Sequence, residues 1–220
     1  MKPQLSALQK QMQCKIPKAA LKYTTLPQAP EIQLALIDGA YPQADLSQEQ
    51  VEDLMDSPPY WAFSWASDQV MARYLLGQPS LVKGKTVVDF GCGSAVVAIA
   101  AALAGAKRSI GLDIYVKALA ASRLNAELNN VEIELSDWIE PLKIDKSKAI
   151  LIIADVYYDA DNIVLLNEFI NDYADVIIAD SRIKPEALAG VTEVARITSC
   201  TVPDLAEASD FNSVGVYRLT

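Results

Sequence analysis

TVVDFGCGSAVVAIAAALAGAKRSIGLD, residues 86–113, reads as a buried strand, a glycine turn, an alanine-rich helix and a second strand ending on an acid. Thr86 to Phe90 is short, β-branched and apolar, as a central parallel strand covered on both faces must be. Gly91 and Gly93 let the chain turn tightly and bring bare backbone up to a ligand. Ser94 stands where it could cap the following helix, Ala95 to Ala104, whose first N–H groups would point into the turn. Alanine along that helix allows close approach to the sheet. Asp113 closes the second strand, where a carboxylate can accept hydrogen bonds from a ribose diol. The unit reads as a nucleoside pocket.

Glycine spacing separates the cofactors that use such a pocket. A dinucleotide turn follows G-x-G-x-x-G, and counting from Gly91 the third glycine position holds Val96. The pattern D-x-G-x-G, formed by Asp89, Gly91 and Gly93, resembles the first motif of Rossmann-like methyltransferases that use S-adenosylmethionine. A purely structural strand–turn–helix would read the same way on this stretch alone.

The remainder of the chain narrows the choice. Its 220 residues suit one domain with an N-terminal appendage, and 51% apolar against 21% charged residues supplies a core. A net charge of −9 opposes sequence-independent binding to nucleic acid. The longest wholly apolar run, Ala149 to Ala154, is too short for a membrane span, and the polar start MKPQLSALQKQMQ has no secretory core, so the cytoplasm is the expected compartment. Cys14, Cys92 and Cys200 are isolated, and histidine is absent. That leaves no His-based triad or general base and no metal-ligand cluster, so no metal is expected. Transfer of an already activated methyl group stays open.

Residues 1–60 read as an appendage or lid, with a helix over Gln4–Gln13, extended pieces between prolines, a half-exposed strand over Glu31–Leu36 and a helix after Ser47. Residues 61–220 form the expected main domain. At its entrance, Tyr60, Trp61, Phe63 and Trp65 place four aromatics in six residues before a helix over Ser67–Leu76. Phe63 reads as core. Trp61 and Trp65 stand between core and a site where an indole face meets a cation. Tyr115–Asn130 has helical periodicity, and Val131–Leu135 a strand followed by Asp137 and Trp138. Ala149–Ala154 is a buried strand ending in Asp155-Val156-Tyr157-Tyr158, on the side of the sheet where ligands bind. A helix over Asn162–Asn171 and a strand over Ala174–Asp180 follow. The last two strands, near Thr192–Val202 and Ser213–Leu219, lack an intervening helix and suggest an antiparallel pair at a sheet edge.

Taken together, PPYWAFSW, VVDFGCGSAVVAIAAALAGA, GLDIYVKALAASRLNAELNNV, ADVYYD and VPDLAEASDFNSVGVYRL resemble the group-sixteen lysine methyltransferases. Within that group they are most similar to the bacterial branch of enzymes acting on the electron-transfer flavoprotein β subunit. The resemblance runs from about Pro30 to the end. It implies an α/β, Rossmann-like fold with a mostly parallel seven-stranded sheet and helices on both faces. It also implies S-adenosyl-L-methionine as cofactor and a lysine of a protein, the electron-transfer flavoprotein β subunit or a similar one, as methyl acceptor. Asp89, Gly91 and Gly93 would face the methionine part, Asp113 the ribose, and Asp137 and Trp138 the adenine, with Phe90, Cys92 and Ile114 also counted as cofactor-binding. Trp65 would lie near the cofactor's carboxylate. Asp155 and Tyr158 match the D-x-x-Y element beside the acceptor and would be the catalytic pair, Asp155 also touching the cofactor. The chain departs from the family at Ala95, where a further glycine is usual, at Ala179-Asp180-Ser181-Arg182, and at Leu205-Ala206-Glu207. A small-molecule N- or O-methyltransferase and a non-catalytic cofactor-binding scaffold share the same cofactor residues, whereas Val96 disfavours a nicotinamide enzyme.

Overall fold

The computed structural model describes residues 3–40, 46–56, 58–157, 162, 166, 170–183, 190–205 and 208–219. In chain order the elements are α1 (Pro3–Gln13), β1 (Leu21–Thr25), β2 (Gln33–Ile37), α2 (Gln48–Asp56), α3 (Ala66–Gly77), β3 (Thr86–Phe90), α4 (Val96–Leu103), β4 (Arg108–Leu112), α5 (Val116–Leu128), β5 (Glu134–Ser136), β6 (Ala149–Ala154), β7 (Asp175–Asp180), β8 (Val191–Thr198) and β9 (Ser213–Leu219). Seven strands form one sheet in the order β5-β4-β3-β6-β7-β9-β8. The five from β5 to β7 are parallel, and β9 runs antiparallel to both β7 and β8. The expected fold class and edge hairpin are both present.

Period-two alternation decides the two faces of the sheet. In β6, Ile150, Ile152 and Ala154 join the core formed with α3 and α4, while Leu151 and Ile153 join the opposite core with Val88, Ile110 and Ile178. Every residue of β6 is buried, which makes it the spine of the sheet. The alanines of α4 let it lie against the strands closely enough for the Ser109 hydroxyl to donate to the Ala98 carbonyl at 2.6 Å.

Successive strands progress from β3 outward in opposite directions, to β4 and β5 on one side and to β6 and β7 on the other. The crevice above β3 and β6 is the place where open α/β sheets bind ligands. All the parallel strands present their C-terminal ends there.

The N-terminal residues form a separate two-stranded antiparallel ribbon, with Leu21 opposite Ile37 and Thr25 opposite Gln33. A hairpin alone is marginal in water, and this one is anchored on α5. Asn129 accepts from the Gln33 N–H at 2.9 Å and donates to the Gln33 carbonyl at 2.7 Å, and Asn125 accepts from the Ala35 N–H at 2.8 Å. A third apolar cluster joins α1, the ribbon, Trp61, Phe63 and α5. Before α2, Ser47 and Gln50 bond reciprocally at 2.8 and 3.3 Å, a capping box that starts the helix where the serine suggested.

Some boundaries differ from the sequence reading. The strand expected over Val131–Leu135 is only Glu134–Ser136, because α5 closes through Asn130 at φ 55° and the next residues lead out of the helix before pairing begins. Strand β8 stops at Thr198. Of the helix expected over Asn162–Asn171, Asn162 and Leu166 are helical and residues 170–172 form a 3-10 turn; the rest lies outside the described residues. Among the described residues no helix is long and apolar enough to cross a membrane.

Candidate active site

A cavity of about 570 Å³ opens above the C-terminal ends of β3, β4, β5 and β6. That volume lies within the roughly 300–1,000 Å³ of small-molecule and cofactor sites. The glycine turn forms its floor. Gly91 and Gly93 sit at φ 71° and 50°, conformations that a Cβ opposes, and a Cβ on Gly91 would also meet Val156 at 3.0 Å. Backbone is thereby exposed to whatever fills the cavity.

Asp113 faces that floor from the end of β4. One carboxylate oxygen accepts from the Gly93 N–H at 3.0 Å, the other from the Tyr115 N–H at 2.9 Å. Burial raises its pKa, and these two bonds oppose the rise. Each oxygen keeps a further lone pair, so the carboxylate is oriented and still able to accept from a diol. Ile114, Asp137 and Trp138 line the same end, with Phe90 beneath. Ile114 is 69% exposed and Trp138 40%, an apolar rim able to cover a flat ring.

Asp89 and Cys92 require correction. Neither lines the cavity. The Asp89 carboxylate turns under α4 and accepts from the Ala98 N–H at 3.0 Å, so it satisfies one of the donors left open at the helix start. Burial lifts its pKa to about 7. The expected serine cap is therefore replaced: the N-cap position is Ala95, and the buried Ser94 hydroxyl has no partner among the described residues. Cys92 points to α5, 3.5 Å from the Ser122 hydroxyl, in space left by the missing side chain of Gly111. Burial pushes its thiol up, away from the reactive thiolate.

Ala95 itself adopts φ 63° and ψ 25°. That left-handed geometry explains why related turns favour glycine there, and an alanine tolerates it at roughly 1–2 kcal/mol.

The other end of the cavity is built from β6, β7 and α3. Asp155 follows β6 at φ 53°, its amide donating to the Ala179 carbonyl at 3.1 Å. Its carboxylate, 10% exposed, pairs with Arg182 at 3.4 Å. Arg182 is held in turn: Asp180 accepts from the Arg182 and Ile183 N–H groups at 2.6 and 3.0 Å, and the guanidinium lies 4.7 Å from the Phe211 ring centre. Trp65 borders this end, donating from Nε1 to the Tyr60 carbonyl at 3.3 Å and meeting the Tyr60 ring edge-on at 5.7 Å. Trp61 is buried in the N-terminal core with one edge on the cavity, and Phe63 is core as expected. Tyr158 lies outside the described residues.

Several contributors escaped the sequence reading. Ser122 donates to the Gly93 carbonyl at 3.0 Å, and Asn125 donates to the Ser94 carbonyl at 2.9 Å while holding the ribbon. These bonds set the glycine turn from behind. Their signal was the polar stripe Ser122, Asn125 and Asn129 at helical spacing on a face that is otherwise buried. Asp68 of α3, Arg182, and Gln11, Met12 and Lys15 near α1 also line the cavity. Among the described residues no cluster of potential metal ligands occurs.

The arrangement can hold a nucleoside at one end and a cationic or amine group at the other. The family model described as ribosomal protein L11 methyltransferase matches residues 73–181. A Caenorhabditis elegans homolog of electron transfer flavoprotein beta subunit lysine methyltransferase is 33% identical over 86% of this chain and 88% of its own. The Xenopus laevis electron transfer flavoprotein beta subunit lysine methyltransferase is 36% identical over 67% of this chain. The chain spans about half to three fifths of the length of the frog and human relatives it matches. In fold, it is similar to magnesium protoporphyrin IX methyltransferase from Synechocystis, with a TM-score of 0.50, 14% identity and coverage of 81% of this chain and 86% of that one.

Proposed function

The chain belongs to the family of electron-transfer flavoprotein β-subunit lysine methyltransferases, and from that premise we propose that it transfers a methyl group from S-adenosyl-L-methionine to a lysine side chain of a protein. The electron-transfer flavoprotein β subunit, or a protein resembling it, is the acceptor. The observation that carries this reading is one continuous cavity with Asp113 at one end, bonded to the Gly93 amide, and Asp155 at the other.

The residues fit the cofactor. Asp113 would take the ribose hydroxyls, Asp137, Trp138 and Ile114 would flank the adenine, and the exposed backbone of Gly91 and Gly93 would meet the methionine portion. When bound, the cofactor supplies a methyl group already activated on a sulfonium. The protein's task is then chiefly alignment, which can contribute several powers of ten to a bimolecular transfer.

Free lysine titrates at about 10.4, so the attacking amine gives up a proton to bulk water before it enters the slot. Asp155 is the group that receives the entering amine and directs its lone pair, and Arg182 holds that carboxylate in place. Trp65 and Tyr60 wall the slot against water. Tyr158 is proposed, from its D-x-x-Y position, to hydrogen-bond or stack beside the amine. Residues 1–60 act as the cover of the site, a role supported by Gln11, Met12, Pro59 and Trp61 on the cavity wall.

Incubating the protein with radiolabelled S-adenosylmethionine and lysate from a strain lacking this gene tests the reading. A labelled protein band, with label on lysine, is the expected result. Label confined to small metabolites would instead identify a small-molecule enzyme.

A further inference from the structure

The cavity holds one more carboxylate, and its surroundings are unlike those of the others. Asp68 lies in the first turn of α3, on the cavity wall, and is only 9% exposed. Its carboxyl accepts from the Trp65 backbone N–H, which fixes its direction. The charges bearing on it are Asp155, beyond β6, and Asp89, on β3, and the buried thiol of Cys92 also feels it. Among the described residues no lysine or arginine pairs with it, and Arg182 is engaged by Asp155.

Position decides which part of a ligand reaches it. Asp113 and Asp137 mark the nucleoside end, over β4 and β5. Helix α3 packs against β6, β7 and β9, on the opposite side of the glycine turn. A nucleoside ligand held by Asp113 therefore extends its amino-acid end toward Asp68. We propose that Asp68 receives the α-ammonium of the cofactor's methionine end and is a cofactor-binding residue of this site. This rests on the cofactor reading given above. The ammonium is the matching cation, because its N–H groups can donate to the carboxylate whereas a sulfonium has no hydrogen to give.

A physical consequence follows. Burial first, and then the neighbouring acids, raise the pKa of Asp68 well above the usual carboxylate value. The arriving ammonium favours the ionised form, so cofactor binding shifts Asp68 toward losing its proton.

Calorimetric titration of S-adenosylhomocysteine into the full chain at pH 7, in two buffers of different ionisation heat, counts that proton without any turnover. Wild type is expected to release protons on binding. Asp68→Asn keeps the acceptor for Trp65, and is expected to release clearly less and to bind roughly 10- to 100-fold more weakly. An analogue with the amine replaced by hydroxyl should release less from wild type and bind wild type and variant alike. Equal affinity and equal proton release in wild type and a variant that melts normally would overturn the assignment. Should the variant not fold, the analogue decides on wild type alone, and undiminished proton release overturns it. Failure of wild type to bind S-adenosylhomocysteine at all would instead overturn the cofactor reading, and this assignment with it.

Discussion

Over β4 and β5 the cavity is bounded by a carboxylate whose partners are backbone amides: Asp113 takes Gly93 and Tyr115. Over β6 and β7 it is bounded by a carboxylate whose partner is a side chain, Arg182, itself steadied by Asp180 and Phe211. The first end depends on backbone geometry and tolerates little change in residue type. The second depends on which side chains happen to meet, so it can be retuned without disturbing the sheet. A fold that keeps one cofactor and changes acceptors needs this division.

Asp155→Asn attacks the second end alone. Asparagine accepts the positive φ that alanine would resist, so the variant should fold. Turnover is expected to fall about 100- to 1,000-fold with a far smaller change in S-adenosylhomocysteine affinity, measured by single-turnover labelling beside calorimetry. Equal losses in both would merge the two ends into one.

Asp89→Asn probes the scaffold beneath the first end. The buried Asp89 has its pKa raised to about 7, above the ordinary 3.8. Between these values the folded state binds more protons than the unfolded chain, so stability falls as pH rises from about 4 to about 7 and then levels. Asparagine still accepts from the Ala98 amide but carries no proton to lose. Urea unfolding of the ligand-free protein at pH 5 and pH 8 should show the variant gaining on wild type by about 3 kcal/mol across that interval.

Arg182→Ala should lower kcat/KM by about tenfold, the scale of one charge-assisted contact, and leave S-adenosylhomocysteine affinity within a factor of two or so. Arg182→Lys should recover part of the loss, since it restores the charge without the stacking on Phe211. Smallest of all, Ala95→Gly relieves the left-handed alanine but loosens the unfolded chain, so the net gain is expected to stay below about 1 kcal/mol, read as a slight rise in Tm with cofactor affinity unchanged.

The same contrast explains what could be read from the chain alone. The central strands, the glycine turn and the place of Asp113 follow from residue types whose backbone preferences are strong: β-branched runs, glycine at positive φ, an acid at a strand end. Asp89 misled because the residue type was right and the direction was not. A carboxylate beside a glycine turn can serve a ligand or a helix start, and only packing shows that Ala98 claims it. Asp68 was hidden for a related reason: it acts through its burial, which leaves no local pattern. Arg182 stood out only as part of a departure from the family, because its partner Asp155 is remote in sequence. The ribbon of β1 and β2 was half visible: alternation over Glu31–Leu36 read as a half-exposed strand, whereas β2 spans Gln33–Ile37 and is buried from Leu34 onward, and β1 carried no period strong enough to stand out.

Calorimetry of S-adenosylhomocysteine with Asp113→Ala, set beside wild type and with folding checked by thermal melt, tests the division most directly. Loss of measurable binding in a folded variant is the predicted result. Wild-type affinity in that variant would contradict the ribose assignment and, with it, the nucleoside end on which the proposed function stands.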